Sequence, residues 1–163
     1  MSRAGDVFVI PVGDGRFGVG QVIARYRQTD LYYMAVFDRL IRHPSDLNSL
    51  EEIKQFSLLF LANSFDTMLA DGGWPPLGKT SPLAHVPFPS YKVLERGKYF
   101  VESWDGSRKR LATEREVDLL DNRGGVAPIR LEKALKAHLG MVEWHPSFEK
   151  LTYEHVATRA VDP

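Results

Sequence analysis

The run Gly5–Ile23 constrains this chain more than any other segment. Two β-rich stretches, Val7–Val12 and Phe17–Ile23, flank Asp14-Gly15. That dipeptide is favoured in tight type I′ turns because both central residues take positive φ. A two-residue turn there predicts a hairpin with Val12 opposite Phe17, Ile10 opposite Val19 and Phe8 opposite Gln21. Phe8, Ile10, Val12, Phe17, Val19 and Ile23 then share one face, with Gln21 as its only polar member. The other face takes Val7, Val9, Pro11, Gly18, Gly20 and Val22. Its two glycines, with Trp74 expected beside them, leave a floor that another backbone or a small ligand could approach closely.

The same residues match a nucleotide fingerprint, Gly13-Asp14-Gly15-Arg16-Phe17-Gly18. That fingerprint binds a pyrophosphate only when the last glycine opens a helix. Here Val19-Gly20-Gln21-Val22-Ile23 follows, a strand-forming run, so the glycines belong to a hairpin.

At 163 residues, with 44% hydrophobic and 26% charged residues, the chain reads as one globular domain spanning 1–163. Basic and acidic residues number 21 each. The balance is local too, with 8 and 9 in residues 1–81 and 13 and 12 in the rest. Such balance argues against nucleic acid as a partner. There is no cysteine, which excludes disulfides, thiolate metal sites and cysteine nucleophiles. The first six residues lack the apolar core of a signal peptide, and no stretch is long enough to span a membrane. These features lead us to expect a cytoplasmic protein.

Further along, Leu31–Asp38 is apolar on both faces and reads as a central strand. Ser49-Leu50-Glu51-Glu52 has capping-box spacing and predicts a short helix to about Gln55, followed by a strand over Phe56–Ala62, with a helix continuing through that short run as the competing reading. Residues 71–90, with Trp74-Pro75-Pro76 and three further prolines, read as loop and short extended pieces. Tyr99–Trp104 alternates, and Asp105-Gly106 marks a second hairpin. Thr113-Glu114-Arg115-Glu116 is a second capping-box pattern. The clearest helix starts near Pro128, repeats Leu131, Leu135 and Leu139, and stops at Gly140. Trp144, Phe148 and Tyr153 are expected to dock the tail on the body. The predicted fold is α+β: a twisted, mainly antiparallel sheet, curling toward a partly open SH3-like barrel, with one C-terminal helix.

Residues capable of chemistry are scattered. No two of the five histidines are two to five positions apart, so no local metal pair exists. A site assembled from distant residues, such as His85, His145 and Asp105, stands against scattered surface histidines; we expect no cofactor and no metal. Glu51-Glu52 and Glu114/Glu116 suit the first turns of helices. No serine lies in a nucleophile-elbow pattern. Arg108-Lys109-Arg110 reads as a charged strand edge. Trp74 and Trp104 flank turn-rich segments, where an aromatic is either a core lid or an interface anchor. Tyr32 and Tyr33 point to opposite faces, leaving one for an exposed position. The candidate partner-binding residues are therefore Trp74, Trp104, Arg108, Arg110 and Tyr32, with no catalytic residue assigned.

The opening G-D-V-F-x-I-P-x-x-D-G-R-F-G-x-G-Q-V resembles the start of the immunity protein 26 family. The similarity is tightest over residues 5–23 and continues loosely through Tyr32–Asp38, Ser57–Leu61 and Gly73–Gly78. That family is linked to bacterial polymorphic toxin systems and is grouped with a small bacterial phosphotriesterase. The resemblance implies a protein that binds and neutralises a cognate toxin without catalysis. It leaves a small phosphotriesterase-type hydrolase as one alternative and a generic protein-interaction domain as another.

Overall fold

The computed structural model describes residues 1–163, and its backbone is organised by two antiparallel sheets. The larger has five strands in the order β4-β3-β2-β1-β5. These are β1 Asp6–Pro11, β2 Phe17–Arg25, β3 Leu31–Ile41, β4 Leu58–Phe65 and β5 Pro76–Lys79. The smaller sheet has β6 Tyr91–Glu95, β7 Lys98–Glu102 and β8 Lys109–Leu111, in that order. Helices are few: α1 Thr67–Ala70, α2 Glu114–Leu119, α3 Pro128–His138 and α4 Tyr153–Thr158, with 3-10 turns at Pro44–Asp46, Leu50–Gln55 and Pro146–Leu151. No helix is long and apolar enough to cross a membrane.

The first hairpin forms, but one residue out of the expected register. Val9 faces Val19, Ile10 faces Gly18 and Phe8 faces Gly20. Gly13 and Gly15 both take positive φ, 92° and 83°. The loop is therefore three residues long, Gly13-Asp14-Gly15, closed by the Val12 amide donating to the Arg16 carbonyl at 3.2 Å. Asp14 holds it by accepting from the Arg16 amide at 3.0 Å. A one-residue slip turns every side chain of β2 to the other face. Phe17, Val19 and Gln21 thus join Val7 and Val9, while Gly18 and Gly20 lie under Ile10 and Phe8.

That slip removes the expected ligand floor. A Cβ on Gly20 would stand 2.5 Å from the Phe8 ring, and one on Gly18 would run into Leu135. The glycines make room for the chain's own core. Trp74 stacks on Phe8 at 5.4 Å with the rings 6° apart, and it has no exposed surface. The type I′ turn expected at Asp14-Gly15 occurs elsewhere. Arg96-Gly97, with φ of 49° and 77°, joins Glu95 to Lys98 in a two-residue loop between β6 and β7.

The five-stranded sheet is covered on both faces. On one side Phe8, Ile10, Met34, Val36 and Phe60 pack beneath α3, through Leu131 and Leu135. On the other, Val7, Val19, Tyr33, Phe37 and Leu61 pack beneath Ile53, Tyr91 and Val156. Gln21 lies on this second face without exposure. Its amide donates to the carbonyls of Thr80 and Ser81 at 3.3 and 3.1 Å and accepts from the Leu83 amide at 3.0 Å, which ties down the proline-rich segment.

The sheet stays open, so the SH3-like barrel does not form. β4 and β5 are opposite edges. The strands that could have closed a barrel pair with one another instead, and the free edge of β4 is patched by single bridges to Thr152 and Val126. The tail holds more helix than the expected single C-terminal one. After α3, the 3-10 turn and α4 follow, and Thr152 caps α4 by accepting from the His155 amide at 3.3 Å. Trp144 packs on Phe148 and Phe60, whereas Tyr153 remains 36% exposed. The Thr113 capping box forms as expected; Ser49 makes no side-chain cap, and Glu52 accepts from the Asn48 amide at 2.7 Å.

Candidate functional site

The two sheets meet around one buried cation. Arg123 leaves the loop after α2 and enters between the rings of Tyr26 and Tyr91, 4.2 and 4.1 Å from their centres. Its Nη2 lies 2.7 Å from Glu102 Oε1, with both side chains nearly buried at 13% and 9% exposure. Arg123 also donates to the carbonyls of Ser103 and Trp104, at 2.6 and 3.1 Å, and to the Tyr33 hydroxyl at 3.1 Å. Tyr33 in turn donates to the Trp104 carbonyl at 2.6 Å. The Arg123 nitrogens, the Tyr33 hydroxyl and Glu102 Oε1 are all hydrogen-bonded, which limits the cost of burying the charge. Burial pushes the Tyr33 and Tyr91 hydroxyls above the usual tyrosine range. This node anchors β6 and β7 to β3, and a sequence pattern could not have shown it, because Tyr33, Glu102 and Arg123 are far apart in the chain.

Beyond the node the smaller sheet projects, and its distal half is bare. Leu94 and Leu111 are 60% and 58% exposed, and Tyr99 is 36% exposed. Val93, Phe100 and Leu111 line up across the three strands on one face; Leu94 and Tyr99 pair on the other. Charges flank the apolar row. Lys109 pairs with Glu95 at 2.5 Å and lies over the Phe100 ring. Arg108 makes only an exposed contact with Asp162 at 3.3 Å.

The candidate residues separate sharply. Trp74 and Tyr32 are fully enclosed, at 0% and 1% exposure, and offer nothing to a partner. Trp74 is a core residue because Phe8 stacks on it and Glu132 accepts its indole N–H at 3.2 Å; Tyr32 because β3 is covered on both faces, which buries Tyr33 as well. Trp104 is half-buried, stacked on Phe88 at 4.2 Å and edge-on to Tyr33. It closes the second core face as a lid. Arg110 is committed internally by a forked pair with Glu116 at 2.9 and 2.6 Å. That guanidinium, with the Thr113 amide, holds the Glu116 carboxyl at about 2. Arg108 keeps an exposed guanidinium that meets only Asp162, at 3.3 Å.

The dispersed metal set does not assemble. No three His, Asp or Glu side chains group as ligands. Burial would raise the Asp105 carboxyl, but hydrogen bonds from Ser103 and Ser107 outweigh it and hold it at about 2. His145 accepts from the Ser147 amide at 3.1 Å and caps a 3-10 turn.

Residues 3–99 match the family model described as immunity protein 26, more than half of the chain. The chain belongs to the immunity protein 26 family. No curated protein and no solved structure matches it. The immunity protein 26 match spans the whole five-stranded sheet, β6 and the Arg96-Gly97 turn, and ends at the start of β7. Leu94 and Tyr99 fall inside the match, whereas Leu111, β8, Arg123 and every helix after α1 lie outside it.

Proposed function

We propose that this immunity protein neutralises a cognate toxin by binding it through the distal half of β6–β8, without chemistry of its own. Membership of the family carries the immunity reading. The surface is chosen because three of the nine large exposed apolar side chains fall on these three short strands, Leu94 and Tyr99 together on one face and Leu111 on the other. Exposed apolar groups rimmed by charge are the usual mark of an interaction surface. Tyr99 supplies a side-chain type that often carries interface energy, Leu94 packs across from it, and Lys98 beside the turn favours an acidic counterpart. Residues 1–163 would act as one unit in the cytoplasm, the rest of the domain holding this sheet rigid through Arg123.

The test is titration calorimetry against the toxin domain encoded beside this chain's gene. Binding should be measurable at micromolar concentration or below, and Tyr99→Ala should weaken it by about 2 kcal/mol while leaving the melting curve unchanged. An undiminished complex with Leu94→Ala and Tyr99→Ala together would move the interface elsewhere. The absence of any complex with the parent would end the toxin-binding reading.

A further inference from the structure

A cleft of about 220 Å³ opens between the middle of β4, the loop 121–126 and α4. Leu61, Ala62 and Asn63 line its strand side, and His155 and Val156 line its helix side. Nothing in the toxin-binding reading uses it. Asn63 is its unusual member. The residue is 4% exposed, and both the nitrogen and the oxygen of its side chain are buried without any hydrogen-bond partner. Its backbone is not at fault, since the Asn63 carbonyl accepts from the Val126 amide at 2.8 Å. Buried amides in native proteins are nearly always answered, so an unanswered one points to a partner from outside the chain.

The partner's chemistry follows from what is unanswered. A carboxamide offers a donor and an acceptor side by side. An anion would satisfy only the first and a cation only the second. Of the surrounding charges, the carboxylate and its cations form one group, and the remaining cation is occupied by the chain's own carbonyls. Asp121 lies 2.7 Å from His155 Nε2 and 3.6 Å from Lys150, so the charges near the opening offset one another. Arg159 is already engaged by the carbonyls of Leu119 and His155 and by the Thr158 hydroxyl. The volume is that of a fragment, below the usual range for drug-sized ligands. We propose that this cleft binds a small uncharged molecule with an amide edge, an N–H adjacent to a C=O, which pairs with the Asn63 side chain.

The probes are 2-pyridone and nicotinamide, with N-methyl-2-pyridone as the counterpart lacking the donor and nicotinate as the charged one. Binding is followed by the NMR signals of the Asn63 side-chain NH₂ and the Gly124 and Gly125 amides. The amide-edged probes should shift all three, and N-methyl-2-pyridone and nicotinate should bind about tenfold more weakly. Asn63→Leu should melt at or above the parent temperature and lose the shifts at Gly124 and Gly125. Lys150→Ala should leave the affinity for 2-pyridone unchanged. The proposal is overturned if no probe moves these signals at millimolar concentration. It is equally overturned if the N-methylated compound binds as well as 2-pyridone, if Lys150→Ala abolishes binding, or if a crystal soaked with 2-pyridone holds only water at Asn63. None of these outcomes bears on toxin binding, which is read with a different ligand at a different surface.

Discussion

The five-stranded sheet and the three-stranded sheet use glycine and burial in opposite ways. In the larger sheet Gly20 has ordinary φ, and what it provides is the space into which Phe8 settles. In the smaller sheet Gly97 has φ 77° and nothing within 4 Å of where a Cβ would stand, so it provides only a backbone conformation. The larger sheet hides both faces beneath α3 on one side and the loops, Tyr91 and Val156 on the other. The smaller sheet is covered at the end holding Tyr91, Val101 and Glu102, and its far end leaves Leu94, Tyr99 and Leu111 in water. A sheet with two covered faces has little surface left to vary. One that is anchored at a single end can change its far side chains without disturbing a core.

The largest loss should come from the core of the larger sheet. Trp74 is fully buried and stacked on Phe8. Trp74→Ala should cost about 3–5 kcal/mol in urea unfolding, combining lost transfer energy with the cavity left behind. A cost under about 1 kcal/mol would mean that the pocket collapses freely and that the larger sheet is not the rigid partner in this comparison.

Next comes the joint. Arg123→Ala leaves Glu102 buried without its main cation, and Arg27, 3.7 Å from the other carboxylate oxygen, is half exposed and a poor substitute. The expected loss is about 3 kcal/mol, with hydrogen exchange in β6 and β7 rising more than in β2 and β3. Equal acceleration in both sheets would show that they unfold together and that the joint has no local role.

Those two residues also mark how far the sequence could be read. The apolar faces of β3, the strand within Phe56–Ala62, the Thr113 cap and the Leu131/Leu135 helix were legible because each signal is local and periodic. The hairpin at Asp14-Gly15 was legible as a turn but not in register, because the positive φ of Gly13 lengthens the loop by one residue without changing the hydrophobic pattern's appearance. β6 was missed because Arg96-Gly97 is not a common turn pair. Trp74 read as either a core lid or an interface anchor, because prolines surround it; the stacking of Phe8, far away in the chain, decides for the core. Arg123, Asn63 and the His155–Asp121 pair have no local signature at all, since their partners come from other elements.

A third, smaller effect separates the two glycine roles. Gly97→Val should destabilise by about 1–2 kcal/mol, because a β-branched residue resists the left-handed region while meeting no neighbour. Gly97→Asn should recover most of that, since asparagine tolerates the same conformation. If asparagine were as damaging as valine, the cost would have to be steric, and the turn would not be the type I′ loop described.

The smallest effect belongs to the bare end of the smaller sheet. Leu111 is 58% exposed on β8, an edge strand, where its side chain faces water and Phe100 across the ladder. Leu111→Ser removes little buried area and leaves no polar group unpaired, so its stability cost should stay within about 0.5 kcal/mol. The same substitution exposes a difference the melting curve cannot show. If the interface wraps onto the Val93-Phe100-Leu111 face as well as the Leu94-Tyr99 face, serine at 111 lowers toxin affinity and also reduces self-association at high concentration, because it interrupts that row. A loss of more than about 2 kcal/mol in the unbound protein would instead make Leu111 part of a core that the smaller sheet was taken to lack, and the contrast between a covered sheet and an exposed one would fail at its most exposed strand.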